Sequence, residues 1–140
     1  MSKVEITVVR RKSLAKGLIA GMVGGLAGTA AMVVAERLFP SNSRGQSGAA
    51  STRSGDGVRW GFGAALGAAY GAVAEFYPQA TAREGASFGL ALEALTHQGV
   101  LPALGLLMKN SAGDGAAEMT AHVVYGVTTE TVRGFLRQRL

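Results

Sequence analysis

The chain has 140 residues, 21 glycines, three prolines, no cysteine, a formal net charge of +5 and a pI of about 10.1. That length supports one domain at most, and the lack of cysteine excludes disulfides, thiolate metal sites and a cysteine nucleophile. A nucleic-acid binder is also disfavoured, because Lys and Arg flank apolar runs here and do not cluster among aromatics that could stack on bases.

Hydrophobic residues make up 48%, yet mean hydropathy is only +0.23 because Gly and Ala dominate that share. In water, interior glycines weaken a helix by roughly 1 kcal/mol each relative to Ala. In a bilayer the helix is enforced, since lipid offers the backbone no hydrogen bonds, and small residues let helices approach closely. The composition therefore points to lipid as the solvent.

Residues 1–16 read as a basic tail, within which V-E-I-T-V is too short to assign as a strand. Residues 17–35, "GLIAGMVGGLAGTAAMVVA", carry no charge, and Glu36, Arg37 and Pro40 close the run. A span needs about 20 apolar residues, so a first transmembrane helix is expected here. A cleaved signal peptide is the alternative, with Ala35–Glu36 as its junction, but the run exceeds the ~7–15 residues usual for one. Residues 40–57 form a Ser/Gly/Arg-rich linker with no means of making a core.

A second span is expected over 58–78, a third over about 85–108 and a fourth over about 115–136. The fourth has only eleven uncharged residues between Glu118 and Glu130. Its polar residues Glu118, His122, Tyr125, Thr129 and Arg133 nevertheless recur every three or four positions and line one helix face. Such a helix can span if that stripe meets other helices; the alternative is an amphipathic helix on the surface.

With four spans and the N-terminus inside, Lys3, Arg10, Arg11, Lys12, Lys16, Arg83, Arg133, Arg137 and Arg139 fall on the cytoplasmic side. Arg37, Arg44, Arg53, Arg59 and Lys109 fall outside, so the positive-inside rule places both termini in the cytoplasm. Phe39, Trp60 and Phe62 would form an outer aromatic belt, and Phe76, Tyr77 and Phe135 an inner one with Phe88 nearby.

Gly17, Gly21 and Gly25 repeat every four residues, as do Gly63, Gly67 and Gly71. These ridges suit close packing of the first helix on the second; a homo-oligomer through the same faces is the alternative. "VAERLFP" and "VAEFYP" read as helix ends stopped by proline. No phosphate-binding loop, dinucleotide fingerprint or HExxH motif occurs, so no enzymatic activity is expected.

The candidate site lies in "EALTHQGVLPALG", residues 93–105. Glu93 and His97 share a helix face, and Pro102 leaves the carbonyl of Gln98 without its donor, which predicts a kink. If the third and fourth helices form a tight antiparallel pair, residues whose numbers sum to about 223 lie level. His97 then meets Tyr125, Glu93 lies near Glu130, and small tilts gather Glu93, His97, Glu118 and His122 into one polar cluster. Three readings stay open: interhelical hydrogen bonding; a metal or haem site taking zinc, iron or manganese; and proton or solute handling. No cofactor is needed under the first.

"GLIAG", "VAEFYP", "THQGVLPALGL" and "AEMTAHVVYGVTTETVR" together resemble the YagU-like family of bacterial inner-membrane proteins. The resemblance covers residues 17–39 and 58–139 and is most specific at His97, Pro102, Glu118, His122, Glu130 and Arg133. It implies a four-span protein of the bacterial inner membrane and supplies no mechanism. The linker between the first two spans is shorter here than in larger members. The expected molecule is thus an all-α, four-helix transmembrane bundle over residues 17–140, with lipid as its partner and a kinked third helix.

Overall fold

A computed structural model describes residues 12–39, 54–95 and 115–140. Among them are four α-helices and no strands: α1 (Leu14–Leu38), α2 (Ser54–Phe76), α3 (Ala86–Glu93) and α4 (Gly115–Arg139). A 3-10 helix, Pro78–Gly85, joins α2 to α3.

Helix α1 starts at Ser13, whose extended backbone lets its hydroxyl accept from the Lys16 N–H at 3.5 Å. It stops at Phe39, just before Pro40, a residue that has no N–H with which to continue the ladder. Helix α2 begins at Ser54, so the last four residues of the expected 40–57 linker are helical. Glycine-rich sequence reads as coil in isolation; continuity with a packed helix overrides that weak propensity. The third expected span appears as α3 with a wider, π-type turn at Ala94 and Leu95. Its remainder, with His97, Gln98 and Pro102, lies outside the described residues, as do the basic tail before residue 12 and the linker over 40–53.

Helix α1 lies between α2 and α4, and α3 packs on α4. Glycines set each of these contacts. A methyl group added at Gly17 would come within 3.0 Å of the Gly71 carbonyl oxygen, one at Gly21 of that of Gly67, and one at Gly25 of that of Gly63. The two ridges read from the sequence thus face each other within one chain. A second ridge on α1 serves α4: Gly24 abuts the Thr129 carbonyl, and Gly28 abuts the Thr129 hydroxyl and the Tyr125 carbonyl. Backbones this close exchange Cα–H···O contacts, a recurring feature of helix–helix interfaces.

The α3–α4 register differs from the expected one. Gly89 lies against the His122 carbonyl and Gly126 against that of Gly85, so level residues sum to 211. The slide of about twelve residues, roughly three helical turns, follows from where the backbones can touch. Gly85, Gly89 and Gly126 supply the only side-chain-free surface that the described parts of these two helices share. Gly85 also turns the chain at φ 86°, a left-handed conformation that favours glycine.

The distribution of side chains is inverted relative to a water-soluble domain. Ala20, Ala35, Ala74 and Ala121 are buried with the glycines, and so are Glu93, His122, Arg133 and Arg137. Ile19, Met22, Val34, Phe62, Val73 and Phe135 are exposed. Among the described helices, α1 alone is long and apolar enough to cross a membrane by itself.

Candidate functional site

The buried charges form a series of rungs along α4, each joined to another element. At the lower end, Arg137 clamps Glu75 with two nitrogens: Nε donates to Oε2 at 2.7 Å, and Nη2 pairs with Oε1. The backbone N–H of Ser13 donates to the same Oε1 at 2.9 Å, bringing α1 into the rung. Planar guanidinium and carboxylate match in this bidentate geometry, which fixes orientation as well as charge.

One turn up, Arg133 donates to both oxygens of Glu130, at 2.6 and 2.7 Å. The hydroxyl of Tyr70 on α2 donates to Glu130 Oε2 at 2.8 Å. The Tyr70 ring stacks on Phe88 of α3 with centroids 4.1 Å apart, and Phe88 contacts the Tyr125 ring at 6.0 Å. Phe88, expected near the inner belt, therefore sits inside the bundle between two tyrosines. Above this, the Tyr125 hydroxyl donates to the Gly63 carbonyl oxygen at 2.7 Å. Glycine at position 63 leaves that carbonyl approachable.

The upper rung joins α3 to α4. His122 Nδ1 lies 2.9 Å from Glu93 Oε2 and 2.9 Å from the Glu118 carbonyl oxygen. The carbonyl can only accept, so Nδ1 carries the hydrogen and shares it between the two oxygens. Outside the bundle interior, Arg59 on α2 meets Glu36 near the end of α1 at 2.7 Å.

The structure therefore splits the cluster expected from the sequence. Glu93 and His122 come together, and Glu118 contributes its backbone carbonyl to the same imidazole. Glu130 does not approach Glu93 but belongs to the Arg133–Tyr70 rung, and the Tyr125 hydroxyl donates to α2. His97 and Pro102 lie outside the described residues. The separation of Glu130 from Glu93 follows from the twelve-residue slide in register.

Tyr70, Glu75 and Arg137 escaped the sequence reading of the site. Glu75 looked like part of a helix end stopped by Pro78, and Arg137 like part of a basic flank. One signal was available for Arg137. The stripe through Thr129 and Arg133 continues at the same spacing of four to position 137.

Chemically, the carboxylates of Glu75 and Glu130 are each neutralised by an arginine and accept three hydrogen bonds, which suits cohesion. Among the described residues, no group of three or more His, Asp or Glu side chains could hold a metal ion.

The class defined by this fold is an all-helical bundle with paired charges inside and large apolar side chains outside. The chain matches a family described as a protein of unknown function, DUF1440, over residues 42–131, and it belongs to that family. The match takes in Tyr70, Glu75, Glu93, His122 and Glu130, and it ends two residues before Arg133. No curated protein and no solved structure matches the chain.

Proposed function

We propose that this is a multi-pass protein of the bacterial inner membrane, of the YagU-like kind, with a structural or envelope-accessory role and no catalytic activity. The observation that carries the reading is the inverted side-chain distribution: charges and glycines inside, Ile19, Met22, Val34, Phe62 and Phe135 outside. Lipid is the solvent in which that arrangement is favourable. The glycine ridges meet within the chain, which supports a self-contained bundle over an oligomer built on them.

Helix α4 supports the reading despite its charges. A charged residue at the centre of a lone membrane helix costs about 2.5–3.5 kcal/mol on insertion scales. Here Glu130, Arg133 and Arg137 are paired and turned inward. On the outer face, the hydroxyl of Thr131 folds back onto the carbonyl of Val127 at 2.8 Å. A threonine that satisfies itself on its own helix is at ease against hydrocarbon.

A membrane fraction washed with alkaline carbonate and recentrifuged tests the proposal. The chain is expected in the pellet, and recovery in the supernatant without detergent would refute it.

A second reading, metal- or haem-binding or proton and solute handling, attaches to Glu93 and His122. Their burial, at 2% and 8% exposure, favours it, because an ionisable pair in a membrane interior is a functional candidate in its own right. Elemental analysis of purified protein decides between the two. Cohesion predicts no stoichiometric metal and a lower melting temperature for His122→Ala; a site predicts bound metal, or vesicle proton permeability, that the same substitution abolishes.

A further inference from the structure

We propose that α4 is a conditionally inserted helix: it crosses the membrane only while Glu75, Tyr70 and Glu93 on the preceding helices hold its polar face, and otherwise lies on the surface. The inference rests on the multi-pass reading above.

Helix α4 spans 25 residues, yet it fails the apolarity test that α1 passes. Four of its polar side chains take partners from elsewhere in the chain. Arg137 takes Glu75, Glu130 takes the Tyr70 hydroxyl, His122 takes Glu93, and Tyr125 takes the Gly63 carbonyl. The three links to α2 join residues 62, 60 and 62 positions apart, so α2 and α4 run parallel in one fixed register. Loss of the α2 partners, Glu75 as acceptor and Tyr70 as donor, uncovers the Arg137 nitrogens and the Glu130 carboxylate together. The Glu130–Arg133 pair lies within α4 and travels with it, leaving a helix with one charged face and one apolar face. That is the pattern of a helix lying in the interface plane. The partners on α2 and α3 precede α4 in the chain, so they are synthesised before it.

The absence of native cysteine makes the test direct. Single cysteines are placed in the full chain at the exposed positions Thr120, Gln138 and, for reference, Arg37 at the far end of α1. Sealed vesicles are then treated with a membrane-impermeant maleimide. In the native background Thr120→Cys and Arg37→Cys react from one side, and Gln138→Cys reacts only after permeabilisation. With Glu75→Arg, Gln138→Cys is expected to react from the side of Thr120→Cys, while Arg37→Cys is unchanged. The exchange Glu75→Arg with Arg137→Glu is expected to restore protection. Continued protection under Glu75→Arg overturns the proposal, as does failure of the exchange to restore it. Reaction of Thr120→Cys and Gln138→Cys from one side in the native background instead overturns the multi-pass reading itself.

Discussion

Glu75 and Arg137 stand 62 residues apart and bury both side chains to within 7% of full enclosure. A pair of this kind holds position more than it adds net stability, since desolvating two ions offsets most of their attraction. Breaking it is another matter, because one charge is then left without a partner. Glu75→Leu is expected to lower stability by about 3–5 kcal/mol, whereas the double change Glu75→Leu with Arg137→Met should cost much less. Thermal unfolding in one detergent, followed by helical circular dichroism, measures the cycle; equal costs for the single and double variants would count against the pair. Tyr70→Phe removes one hydrogen bond to a carboxylate and should cost about 1.5–3 kcal/mol in the same assay. The spacing of the α4 stripe made its polar face legible, but no local pattern names a partner on another helix. That is why Glu130 was expected beside Glu93 and was found beside Tyr70.

At the scale of the helix, glycine is the element's working surface only where a backbone comes against it. Gly67 meets the carbonyl of Gly21 and the Cα of Gly25, both under 3.0 Å from where a methyl would sit. Gly61, less than two turns away on the same helix, has nothing within 4 Å. The same substitution should therefore have opposite signs at the two positions. Gly67→Ala forces backbones apart and is expected to destabilise by about 1–3 kcal/mol, the usual range for overpacking. Gly61→Ala meets open space and should be neutral or stabilising by up to about 1 kcal/mol through helix propensity. Melting temperatures of the two variants in one detergent check the contrast, and matching losses would show that packing does not discriminate them. The ridges at 17, 21, 25 and 63, 67, 71 were legible because each has a period of four. Gly24 and Gly28 were hidden beside the first ridge, since Gly24 and Gly25 are adjacent and serve different neighbours. The α3–α4 register was not legible either, because it depends on a left-handed Gly85 and a 3-10 approach that spacing alone does not encode.

For the whole molecule, the packing of α1 bears on the choice between a membrane span and a cleaved signal peptide. A long apolar helix near the beginning of a chain can be a membrane span or a signal sequence, although the apolar run of α1 exceeds the ~7–15 residues usual for the latter. A signal sequence is removed and has no need to fit the remainder. Helix α1 fits it twice, through Gly17, Gly21 and Gly25 to α2 and through Gly24 and Gly28 to α4. Ser13, at its start, also supplies an N–H to the buried Glu75–Arg137 pair. Cleavage at Ala35–Glu36 would uncover the glycine faces of α2 and take one donor from that rung. Residues 14–38 are therefore expected in the mature protein. Intact-mass measurement on membrane-extracted material should show them retained, and a chain beginning at Glu36 would contradict the packing. Deletion of residues 1–35 should in turn leave α2 and α4 without their shared surface, seen as loss of the remaining chain from the membrane fraction. The bundle is organised around its first helix by glycine contacts, and the buried polar contacts join the later helices chiefly to one another.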